Sequence, residues 1–300
     1  MLSAASFALK AIFVKLAYAA GPVDALTLLA IRMGFALPLF LGLSYLSRHH
    51  GQTRLTTGDV CRIWLLALLG YYLSSLFDFY GLKYISSGLE RLILYIYPTL
   101  VLVFQACISR RLPGGRTMQA MGICYAGLGI AFVHDLSQTG YSTQVLSGVA
   151  WVFTSAVTYA LYYLGTGAVV GRIGSMRLAG LAGCASCVMV LIHFLLFGHP
   201  AVLPQLPAGV WVNGALMALL STALPVYWMS LAIQRMGATQ AAAFGSLGPV
   251  LTVFASWMLL HEPISYLQLG GLGLVIFGVA RLKPGARAKK EAAPVAARAV

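Results

Sequence analysis

Six charged side chains stand inside apolar stretches that otherwise hold almost no charge: Lys10, Lys15, Arg32, Asp78, Glu90 and Arg91. A charge in hydrocarbon costs about 2.5–3.5 kcal/mol on the insertion scale, so each needs a partner or a task. Asp78 precedes a turn at Tyr84-Ile85 by as many residues as Arg91 follows it. An antiparallel hairpin therefore sets the two level, either as a structural pair or as a gate or proton-coupling element. Glu90 is the protonatable residue best suited to coupling, opposite Lys15 and Arg32. Counting Asp24, three acids balance three bases here, which assigns Arg32 a structural role. Lys10 has no acid evident at its depth. It either attracts an anionic group of a cargo or snorkels, the latter if the chain starts upstream of Met1.

Aromatic side chains form the second group. Tyr71, Tyr95, Tyr97, Tyr159, Tyr162, Tyr227 and Trp228 fall mid-stretch, whereas Tyr and Trp usually sit at headgroup depth. They either pack with their polar tips satisfied or wall a cargo path. Pro98 and Pro249 lie near the middle of apolar stretches, where a proline frees the carbonyl four residues earlier, at Leu94 and Gly245. Irregular backbone at membrane depth is tolerated where it is buried or lines a wet cavity, so both prolines, with Ser246 beside the second, join the candidate path.

The elements that carry these residues follow from composition. Hydrophobic residues make up 60% of the 300-residue chain and charged residues 9%. Mean hydropathy is +0.85. So little charge cannot cover a water-facing surface, and lipid must be the main solvent. Apolar segments fall at 2–20, 24–46, 60–82, 86–108, 117–134, 145–166, 176–198, 209–234, 238–260 and 264–282. Each approaches the ~20 residues a spanning helix needs, so the fold class is all-α integral membrane with about ten transmembrane helices. The first segment is no signal peptide, because Lys10 and Lys15 interrupt it and no basic region precedes it.

The net charge of +13 would suggest nucleic acid in a soluble protein. Here the basic residues are confined to alternate loops. Arg48, Arg54, Arg110, Arg111, Arg116, Arg172, Arg177, Arg235 and the tail share one side, and Lys83 stands on the other. This positive-inside pattern puts both termini in the cytoplasm and excludes a nucleic-acid partner. Residues 283–300 read as a basic, disordered tail. Cys184 and Cys187 form a CxxC inside an apolar segment with no second pair, so they read as packing residues, and neither metal nor cofactor is expected. His193, also mid-segment, has no evident companion for nucleophilic chemistry. The Gly270-to-Gly273 run is no phosphate loop, since no strand precedes it.

A shift of 151 residues superposes Pro98 on Pro249, Leu100 on Leu251, Gly122 on Gly273 and Gly127 on Gly278. The halves, 1–134 and 145–282, would each hold five helices. An odd number inverts the second half, and inverted repeats are a transporter signature.

These features resemble a known family. Residues 231–282, LAIQRMGATQAAAFGSLGPVLTVFASWMLLHEPISYLQLGGLGLVIFGVARL, are similar to the C-terminal half of an EamA-type repeat: a small-residue start, a mid-helix proline, Glu-Pro, a Gln and spaced glycines. Residues 81–133 are similar to the same unit, with Arg110-Arg111 where the second half has His261-Glu262. The opening helices, with Lys15 and Ala30-Ile31-Arg32, also fit. The resemblance, to the ten-helix bacterial branch of the drug/metabolite transporter superfamily, implies a multi-pass inner-membrane protein that exports small metabolites and is not an enzyme. The cationic excess and aromatic lining point to amino acids or similar cargo, moved by alternating access with proton coupling. The alternatives are an intramembrane enzyme or a channel, neither of which has a recognisable motif here.

Overall fold

Apolar runs with few charges can satisfy their backbone in lipid only by closing every hydrogen bond within the segment, which makes them helices. The computed structural model describes residues 2–47, 55–110, 115–139, 142–226, 228, 248–261 and 265–281, and these fold without strands. The helices are α1 (Leu2–Ala20), α2 (Ala25–Leu46), α3 (Thr57–Gly81), α4 (Ser87–Leu94), α5 (Tyr97–Ser109), α6 (Gly115–Thr139), α7 (Thr143–Ile173), α8 (Ser175–Phe197), α9 (Ala208–Val226), α10 (Gly248–Leu260) and α11 (Tyr266–Arg281). Six apolar helical stretches among the described residues are long enough to cross a membrane: Ala25–Leu46, Thr57–Gly81, Ser87–Ile108, Thr143–Gly167, Ser175–Phe197 and Ala208–Val226.

Local chemistry sets the ends. Asp24 caps α2 by accepting from Thr27 N at 3.0 Å. Thr56 and Asp59 form a reciprocal capping box at the start of α3, satisfying two orphan donors at once. Ser86 caps α4 through Leu89 N at 3.1 Å. At Tyr95–Ile96 the α4–α5 rod breaks, and Pro98 falls in the first turn of the new helix, where its missing N–H costs nothing. Pro249 lies in α10.

Two helices depart from α geometry inside their spans. Ala67–Leu73 of α3 and Leu219–Ala223 of α9 are π-helical. Short π segments free backbone groups and are frequent at functional sites.

Small residues let the helices close in. In the α2–α8 pair, a Cβ at Gly183 would stand 2.5 Å from the Phe40 ring, and one at Gly180 would stand 2.6 Å from Ser44 Oγ. Cys187 Sγ meets Met33 Sδ at 3.7 Å, so the CxxC cysteines are free thiols packed in this seam. In the α6–α11 pair, a Cβ at Gly127 would meet Gly271 O at 2.5 Å and approach Val275. One at Gly278 would meet Ala120 O at 2.7 Å and Cys124 Sγ at 2.5 Å. Glycine is needed where backbones approach this closely. Side chains of α1, α2, α3, α8 and α9, including Leu28, Met33, Phe40, Phe79 and Met217, form a buried apolar core.

Candidate functional site

The charged residues of α1, α3 and α4 converge. Lys10 Nζ lies 2.7 Å from Asp78 Oδ2 and 3.8 Å from Glu90 Oε1, and the two carboxylates are 1% and 0% exposed. Arg91 Nε stands 3.7 Å from Glu90 Oε2. Glu90 sits in the first turn of α4, where the helix dipole favours a negative charge. Asp78 sits in the last turn of α3, and Gly81 just beyond it packs directly on α7 at Gly148 and Val152. That contact fixes the turn and aims both acids at α1.

This arrangement corrects two expectations. Asp78 pairs with Lys10, not Arg91, and Lys10 has two acids at its depth, not none. Equal spacing about a turn sets residues level but does not set the rotation of each helix, and here both acids reach a lysine of a third helix, α1. The balance of three acids against three bases also fails, because Asp24 is spent on the α2 cap.

Arg32 is the functional candidate that sequence reasoning missed. It is 5% exposed, and its Nε donates to Thr222 Oγ1 at 2.9 Å while Nη1 reaches Ser75 Oγ at 3.4 Å. Its guanidinium lies 5.5 Å from the Phe79 ring centroid. Thr222 Oγ1 donates in turn to Met217 O at 2.9 Å, which leaves its lone pairs for Arg32. A signal for the site was present in Arg32 itself, a buried cation for which no acid was reserved.

The tyrosines gather beside the π segment of α3. Tyr71 and Tyr162 meet edge to face with centroids 5.4 Å apart, and their hydroxyls are 3.4 Å apart. Tyr159 stacks on Tyr162 at 5.8 Å and meets Tyr97 at 5.2 Å, and Tyr95 extends the row at 6.3 Å from Tyr97. Tyr163, which the sequence did not single out, meets both Tyr97 and Tyr159 at 5.0 Å. A Cβ at Gly70 would strike the Tyr162 ring at 2.3 Å, so the row is seated against the helix by a missing side chain. Edge-to-face pairs of this kind add about 0.5–1.5 kcal/mol each beyond area burial. Trp228 is half-buried. Ser246 lies outside the described residues. His193 does have a companion: its Nδ1 is 2.6 Å from Tyr72 Oη.

At the far end of α3, Arg172 of α7 pairs with Asp59, whose carboxylate also accepts from Thr56 N and Oγ1, each at 2.8 Å. Among the described residues no three His, Cys, Asp or Glu gather as a metal site.

The chain is similar to known proteins. The chain is 28% identical over 284 residues to the uncharacterized transporter YcbK of Bacillus subtilis, covering 92% of this chain and 89% of that one. It is 27% identical over 260 residues to the uncharacterized transporter YyaM of the same organism, covering 83% and 81%. A solved crystal structure superposes with a TM-score of 0.65 over 96% of both chains at 16% identity, which establishes a shared fold. The names of these relatives are those of transporters. Residues 1–133 and 146–282 match the family of EamA-like transporters, and the chain belongs to that family.

Proposed function

We propose that this protein is a secondary transporter, an exporter of small metabolites such as amino acids, that works by alternating access between two inverted five-helix halves. The halves are residues 1–134 and 145–282, ten spanning helices in all, followed by a basic tail at 283–300. Both termini face the cytoplasm of a bacterial inner membrane, the side that the loop arginines and the basic tail would occupy.

The observation that carries the reading is the exchange of contacts between α6 and α11. With the offset of 151 residues that superposes Pro98 on Pro249, Ala120 corresponds to Gly271, Cys124 to Val275 and Gly127 to Gly278. Gly127 approaches Gly271 and Val275, and Gly278 approaches Ala120 and Cys124. A contact in which i meets j while the partners exchange places is what a two-fold axis produces. The same offset carries the π segment of α3, Ala67–Leu73, onto that of α9, Leu219–Ala223. Two halves related this way can close at either face of the membrane at similar energy, which is what alternating access needs.

Among the described residues the ion pairs of Lys10, Asp78, Glu90 and Arg91 lie in the first half and give the symmetry a polarity. Glu90 is our candidate for the proton-coupling residue. When protonated it loosens its hold on Lys10 and Arg91, and when ionised it draws both back. The tyrosine row beside the π segment of α3 walls the path.

Counterflow in proteoliposomes with a panel of amino acids, comparing wild type with Glu90→Gln, tests the proposal. Saturable exchange of a panel member by the wild type is expected. The variant should keep exchange and lose proton-driven accumulation. Absence of exchange by folded wild-type protein would contradict transport of this cargo class. Unimpaired accumulation by the variant would remove Glu90 from the coupling step.

A further inference from the structure

We propose that Arg32 anchors a carboxylate of the transported molecule, an inference that rests on the transport reading and names the chemistry of its cargo. A guanidinium offers five N–H donors in a fixed fork. Among the described residues Arg32 uses it on two hydroxyls alone, Thr222 Oγ1 at 2.9 Å and Ser75 Oγ at 3.4 Å, and makes no ion pair. Among the described residues, the acids of α3 and α4 and the cap of α2 are engaged elsewhere. Asp78 acts on Arg32 from a distance, but its near oxygen is held by Lys10 at 2.7 Å. Glu90 faces Lys10 and Arg91, and Asp24 caps α2. A buried charge is costly unless paired, and the fork of arginine matches a carboxylate bidentately.

The position of Arg32 fits that role. Thr222 lies within the π segment Leu219–Ala223, and Ser75 follows the π segment Ala67–Leu73 by two residues. Arg32 therefore touches one hydroxyl beside each of the two π segments, one from either half of the chain. An anion seated there would contact both halves, and a movement of one half against the other would change the residues that surround it. The Phe79 ring, with its centroid 5.5 Å from the guanidinium carbon, covers one face of the cation.

The test is counterflow with L-leucine, L-threonine and L-phenylalanine, each against its own carboxamide, in wild type, Arg32→Lys and Thr222→Val. Monodisperse elution in detergent checks that each variant is folded. Thr222→Val keeps the charge and removes the acceptor that holds the fork, while Arg32→Lys keeps the charge and removes the fork. The wild type should prefer an acid to its amide by about tenfold or more, the worth of a charge-assisted hydrogen bond. Both variants should raise KM for the acid by a similar factor and leave the amide nearly unchanged, so that the preference collapses. Equal use of acid and amide by the wild type, or wild-type KM and preference in both variants, would overturn the anchor and leave transport standing. Failure of the folded wild type to exchange any probe would overturn the transport of this cargo and the anchor with it.

Discussion

Replacing Lys10 by methionine removes the cation between two buried carboxylates while keeping the volume and helix propensity of the side chain. Lys10 Nζ is 2.7 Å from Asp78 and 3.8 Å from Glu90, and neither acid is more than 1% exposed. Removing one partner of a buried pair strands the other charge and costs about 3–5 kcal/mol. For a chain of this size each kcal/mol moves the thermal midpoint by roughly 2 °C, so Lys10→Met should melt about 6–10 °C below wild type in detergent. The network also dictates which second substitution rescues it. Adding Asp78→Asn leaves Glu90 facing Arg91, whose Nε is 3.7 Å away, so charge is again balanced and most of the loss should be recovered. Adding Glu90→Gln instead leaves Asp78 stranded and should recover little. Differential scanning fluorimetry of the four proteins reads the difference. A single variant within about 2 °C of wild type, or equal rescue by the two second substitutions, would refute the assigned pairing.

The glycine seam gives a second expectation. Gly127→Ala and Gly278→Ala drive a Cβ into backbone of the facing helix and should each lose about 1–3 kcal/mol as a lower melting point, the usual cost of overpacking. Gly122→Ala and Gly129→Ala, where a Cβ meets open space, should match wild type or gain slightly from the less flexible unfolded chain. Tyr72→Phe removes the 2.6 Å bond to His193 and should cost about 0.5–1.5 kcal/mol in the same assay while leaving counterflow intact. Loss of counterflow in that variant would draw His193 into the transport path.

The parts of this molecule that were legible in the sequence are those set by one-dimensional patterns. Apolar runs marked the helices because lipid leaves the backbone no other closure, and Pro98 marked the α4–α5 break because a proline cannot donate there. The tyrosines of α3, α4, α5 and α7 were recognised as a group, and the structure brings Tyr71, Tyr95, Tyr97, Tyr159 and Tyr162 together. What failed depended on rotation about helix axes. Asp78 and Arg91 are level across the α3–α4 turn, but Asp78 faces α1, and no periodicity within two helices reveals where a third inserts. The role of Arg32 was hidden by counting charges without asking where each carboxylate is used, since Asp24 serves the α2 cap. The two π segments have no composition signature. Neither holds a proline, and the close approach of Tyr162 to Gly70 in the first is a contact between helices that no single segment reveals.

The central claim, that the centre beside Arg32 opens to each face of the membrane in turn, is tested most directly by thiol accessibility. Ser75→Cys, with the exposed Cys61 and Cys107 replaced by serine, is reconstituted in oriented vesicles and treated with a membrane-impermeant maleimide from one side or the other. Labelling is expected from both faces, slowed from both by a saturating concentration of the amino acid that exchanges. Labelling from a single face, unaffected by that amino acid, would contradict it.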